Sequence, residues 1–159
     1  TGGYPSAPPP PYYGQSLERL FTERAQVMQA WGNYGTMWPV VHQQLGVSPD
    51  LGLGQLEVVP QVPAYATGPI RGRNIRLGSG AIDVTASHDG SRYETVVDRD
   101  GALTADLTIG HTLPAGSRIG AVMLAGRAFP FTVRDTTAGR QVLVNAATAR
   151  YADLVITVR

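Results

Sequence analysis

Few side chains in this chain could do chemistry alone, and most of those are scattered. His42, His88 and His111 lie far apart without Asp, Glu or His companions at ligand spacing, so no metal centre follows. Each reads as a surface or turn residue. Asp98 and Asp100 sit in a turn context, and a calcium loop needs more oxygen ligands than they supply. The Leu77-Gly78-Ser79-Gly80 stretch lacks the lysine and the following helix of a phosphate loop. No serine has a nucleophile-elbow context. Cysteine is absent, which removes disulfides, thiolate metal sites and thiol nucleophiles. The one concentration is aromatic: Trp31, Asn33, Tyr34 and Trp38 cluster around Gly32 and Gly35. Aromatic rings pack against the C–H faces of sugars and an amide can meet a hydroxyl, so a sugar subsite is one reading. Packing between two helices, with Asn33 capping a left-handed turn, is the other. Glu23, beside Arg19 and Arg24, reads from its neighbours alone as part of a polar helix face.

Several kinds of element must position these groups. Residues 1–14 are rich in Pro, Gly and Tyr, and the four consecutive prolines at 8–11 favour an extended polyproline II arm or linker. The spacing of Leu17, Leu20, Phe21, Met28 and Trp31 predicts an amphipathic helix over residues 15–31, with Ser16 as its cap. A second helix is expected over 37–45. Pro39 is tolerated in its first turn, Gly46 ends it, and Trp38, Val41 and Leu45 form its apolar face. Two such helices cannot enclose a core, so residues 15–50 are expected to belong to something larger.

From about residue 54 the texture changes. Short β-branched runs at 56–59, 70–77, 82–87, 93–97, 103–109, 118–124, 129–134, 141–145 and 154–158 alternate with turn residues. Asp89-Gly90 between two such runs is a hairpin signal. Strands at this spacing without intervening helices predict an antiparallel β-sandwich over residues 51–159. A sugar-binding sandwich face needs aligned aromatics. Here the β-region offers only Tyr65, Tyr93, Phe129, Phe131 and Tyr151; Phe129 and Phe131 alternate onto one face, although such rings can equally fill a core.

Residues 21–60 carry a more specific pattern. In order come Glu23, Ala30-Trp31-Gly32, Trp38-Pro39, Leu45-Gly46-Val47-Ser48-Pro49, Gly52-Leu53-Gly54 and a run from Leu56 to Pro60. This resembles the place where six-hairpin glycosidases of the α-L-rhamnosidase type finish an (α/α)6 barrel and enter a C-terminal β-domain. Where those families often carry His before the small-Trp-small stretch, this chain has Gln29. The resemblance implies a mainly β fold preceded by two short helices that complete or pack on such a barrel. It also implies that Glu23 is the late carboxylate that acts as general base. An inverting glycosidase sets that base roughly 6.5–9.5 Å from a protonated acid, and the acid would lie in an upstream barrel region or chain. Trp31, Asn33, Tyr34 and Trp38 would then bind carbohydrate, and no cofactor is implied.

The totals bound these readings. With 159 residues and a hydrophobic fraction of 43%, the chain can bury a core without staples. Charged residues make up only 16% against roughly 25% in typical soluble domains, which suggests a surface covered by another domain. Thirteen basic against 12 acidic residues leave no basic stripe for nucleic acid, and no apolar run suits membrane insertion. The start at Thr1 without Met is that expected of a fragment, processed product or subunit. The compartment stays open, with an exported or cell-envelope setting slightly favoured. A non-catalytic carbohydrate- or protein-binding sandwich module is the alternative.

Overall fold

The computed structural model describes residue 35 and residues 37–159. Glu23, Trp31, Asn33 and Tyr34, the arm over 1–14 and the helix over 15–31 therefore lie outside the described residues. The chain divides into two compact units, Thr1–Val40 and Val41–Arg159. In the first, the described residues are helical and Trp38 is 42% exposed. The helix passes into wider π turns over Pro39–Gln44. No helix among the described residues is long and apolar enough to cross a membrane.

The second unit is mainly β, with two sheets packed face to face. One sheet has the order β1-β2-β6-β10-β9, from Val47–Asp50, Gln55–Val58, Asp106–Leu113, Gly139–Ala147 and Thr132–Thr136 respectively. The other has the order β3-β4-β5-β11-β7-β8, from Ile70–Leu77, Gly80–Asp89, Arg92–Arg99, Tyr151–Val158, Ile119–Leu124 and Arg127–Ala128. All pairs are antiparallel except β2 with β6, which run parallel with Gln55 opposite Asp106 and Val58 opposite Ile109. That pair departs from the all-antiparallel expectation. A parallel pair cannot be closed by a tight turn, and here the whole of β3–β5 lies between its two strands.

Alternation explains the layers. Side chains two apart on a strand share a face, and Ile82, Val84 and Ala86 on β4 point inward while Asp83 points out. Leu154 and Ile156 on β11 meet Leu107, Ile109, Val142 and Val144 from the opposite sheet in one core. Burying such a side chain fully contributes about 1.5–3 kcal/mol. The β4–β5 hairpin turns where the sequence indicates. Asp89 pairs with Arg92, and Gly90 holds the positive φ of 54° that a primed turn needs. The free edge of β3 is blunted by exposed Arg71, Arg73 and Arg76, a common guard against edge-to-edge pairing.

The sandwich unit begins at Val41, ahead of the boundary at 51 suggested by the change in texture. Leu45 and Val47 are core residues, and β1 pairs along its length with β2. Pro49 makes the stretch read as a turn, yet β1 is an edge strand, where a missing N–H costs nothing.

Candidate functional site

Within the second unit, the last helical turn meets the sandwich through the motif residues themselves. Gly46 ends the helical segment at φ 65°, and a Cβ there would lie 2.0 Å from the Val59 carbonyl oxygen. Only glycine accepts both the angle and the contact. Two backbone bonds close the seam: Val59 N–H donates to Gly46 O at 3.0 Å and Gln61 N–H to Gln44 O at 2.9 Å. Thr112 N–H then donates to Pro60 O at 2.9 Å, tying the same strip to β6. Leu45, Val47, Leu56 and Val58 sit in the core beneath it. The 45–49 stretch, which runs into β1, and the 56–60 run are thus two sides of one weld within the second unit.

Beside the weld lies a cleft of about 380 Å³, lined in part by Gln43, Gln44, Gln61, His88, Tyr93 and Thr112. His88 Nε2 lies 3.3 Å from Pro63 O, and the His88 and Tyr93 rings are 5.8 Å apart. Behind Tyr93, edge to face at 5.3 Å, lies His111. Expected at the surface, His111 is instead fully buried between the sheets. It faces inward from β6 on the same side as Ile109 and Leu113, so strand alternation carries it there. Thr95 Oγ1 donates to Gly110 O at 2.9 Å and lies 2.8 Å from His111 Nδ1. With the hydroxyl hydrogen directed to Gly110, Nδ1–H donates to Thr95 Oγ1, and Nε2 is a buried acceptor with no hydrogen-bond partner among the described residues. Burial lowers the His111 pKa from 6.5 to about 4. The neighbouring His88 adds to this, and the Glu94 backbone opposes it. The imidazole is therefore neutral at pH 7. Because it is sealed in the core, it packs against Tyr93 and Thr95 and is out of reach of a substrate.

A second recess of about 480 Å³ opens on the outer face of the five-stranded sheet, at the crossing from β8 to β9. Phe129 and Phe131 line it with Glu57, Thr108, Leu143 and Asn145. The two rings are 37% and 43% exposed and take no part in the core. This resolves the choice left open by their alternation. Next to the recess, Arg134 spans the sheet, donating to Glu57 Oε1 at 2.6 Å and to Gln141 Oε1 at 2.8 Å. Residues 125–138 are exposed throughout, although β8 and β9 are regularly paired.

Of Trp31, Asn33, Tyr34 and Trp38, Trp38 alone lies within the described region, on an exposed helical turn. Among the described residues, no three His, Asp or Glu side chains converge to hold a metal ion. The buried His111–Thr95 pair escapes sequence reasoning because it crosses from one sheet to the other, and the Glu57–Arg134 link because its residues are 77 positions apart. No known family pattern matches the chain, and no curated protein is significantly similar to it in sequence.

Proposed function

We propose that this chain is the C-terminal part of a glycoside hydrolase acting on oligo- or polysaccharide glycosidic bonds, with its sandwich bracing a helical catalytic barrel. The weld carries the reading. A brace must transmit rigidity from sheet to helix, and here the helical segment ends in a glycine locked under the Val59 carbonyl, with core residues on both sides. The ordered pattern over residues 21–60 supports the same assignment. Glu23 supplies the carboxylate that takes a proton from the attacking water, while an acid from the upstream barrel protonates the leaving oxygen. Trp31, Asn33, Tyr34 and Trp38 provide the neighbouring sugar contacts.

Two measurements test this. Native mass spectrometry of the protein isolated gently from its source is expected to show a larger polypeptide in fixed ratio or continuous with it. A lone compact monomer would count against the hydrolase. In the full assembly, Glu23→Gln is expected to lower kcat by about a hundredfold or more, with its unfolding midpoint unchanged. Retained turnover would remove Glu23 from the mechanism.

A second reading, a non-catalytic carbohydrate- or protein-binding module, is favoured by the exposed Phe129 and Phe131 recess. The two readings are compatible, since a bracing domain can carry a binding face of its own.

A further inference from the structure

We propose that the recess around Phe129 and Phe131 is a binding subsite for a neutral oligosaccharide, separate from any catalytic centre. The inference stands on the sandwich alone and does not require the hydrolase reading.

Three observations lead to it. First, the rings are presented rather than buried. Both lie exposed on the wall of a recess of about 480 Å³, a size within the usual range of small-ligand sites. Second, their surroundings are polar but carry no unpaired charge. Glu57 is neutralised by Arg134 at 2.6 Å, and Arg134 is further engaged by Gln141. Thr108 supplies a hydroxyl. The Asn145 Oδ1 accepts from Ala147 N–H at 2.7 Å, which orients the amide and leaves its NH₂ donors available. A pyranose ring matches this lining, because it is neutral, has C–H faces for the phenyl rings and has hydroxyls for the amide, the hydroxyl and the carboxylate. An anionic polymer would meet an arginine already committed to a carboxylate. A lipid surface would meet a ladder of polar side chains.

Third, the recess is preorganised. Phe129 N–H donates to Val122 O at 3.1 Å, fixing the start of the crossing. Thr132 pairs with Leu143 at its end. Pro130, between the two phenylalanines, restricts the backbone further. A ligand therefore orders little on arrival, which lowers the entropic cost of binding.

The test is a titration of the ¹⁵N-labelled 159-residue chain, followed by amide chemical shifts. The probes are neutral gluco-, manno-, xylo-, galacto- and rhamno-oligosaccharides, with oligogalacturonate as the charged control. At least one neutral probe is expected to give saturable shifts centred on Phe129, Phe131, Leu143 and Asn145. Phe129→Ala and Phe131→Ala, both at exposed positions, are each expected to weaken that binding by about fivefold. Shifts centred elsewhere would overturn the proposal, as would stronger binding of the charged control. Absence of saturable shifts with every neutral probe would also overturn it. The location of the wild-type shifts decides the matter even if an alanine variant is unstable. None of these outcomes bears on Glu23, so failure here and failure of the hydrolase reading remain distinguishable.

Discussion

At the scale of single residues, two buried polar groups have measurable consequences. His111 is neutral in the fold and titrates near 4, against 6.5 when exposed. Between those values the unfolded chain binds the extra proton, so stability is full above pH 6.5 and falls as pH drops toward 4. The shift corresponds to about 3 kcal/mol once both forms are protonated. Urea unfolding at pH 7, 6 and 5 is expected to show a falling midpoint, and His111→Leu is expected to flatten that dependence. The leucine leaves the Thr95 hydroxyl bonded to Gly110 O and removes the partnerless Nε2, so little loss is expected at pH 7. An unchanged slope in the variant would show that other groups set the pH response. Arg99 presents the opposite case. It is 3% exposed, and its guanidinium donates to the carbonyls of Ala149 at 2.7 Å, Ala147 at 3.2 Å and Ala105. One planar fork thus holds the loop before β6 and the end of β10. Arg99→Met would leave those carbonyls without their donor and is expected to cost about 3 kcal/mol or more, read as a lower midpoint at constant m-value.

At the scale of elements, the weld makes the sharpest prediction. Gly46→Ala forces a methyl against the Val59 carbonyl at a positive φ. It is expected to destabilise the sandwich by about 3 kcal/mol, whereas Gly90→Ala, with open space around its missing Cβ, should cost only about 1 kcal/mol. Similar losses at the two sites in thermal unfolding would show that the contact at Gly46 relaxes freely. The elements also show where sequence reasoning works. Local patterns reveal the β-branched runs, because alternation and turn residues are written within a few positions of each other. The exceptions have physical causes. Val47–Asp50 is hidden by Pro49, acceptable there only because the strand is at an edge. Arg127–Ala128 is too short to carry a period. The expected strand over 103–109 shifts to Asp106–Leu113, since Leu103 and Ala105 enter the core from a loop while His111 and Thr112 are buried polar strand residues. The Phe129 and Phe131 pair was legible as two rings on one face. Whether that face was core or surface depends on a sheet pairing the local sequence does not specify.

At the scale of the whole molecule, the proposed reading expects the isolated 159 residues to hydrolyse no glycoside, because the acid that would partner Glu23 would lie in an upstream barrel. Turnover by the purified chain would require a complete catalytic pair within it. The strand order carries a different kind of consequence. β11, the last strand in this sequence, lies in the middle of its sheet, with β5 on one side and β7 on the other. Until Tyr151–Val158 is in place, β3-β4-β5 and β7-β8 have no hydrogen-bonded connection. Likewise β1 and β2 wait for β6, whose pairing spans the chain from Gln55 to Asp106. Non-local closures of this kind are slow, because the loop entropy is lost before the contacts form. During synthesis the six-stranded sheet would therefore stay in two unjoined parts until Tyr151–Val158 had left the exit tunnel.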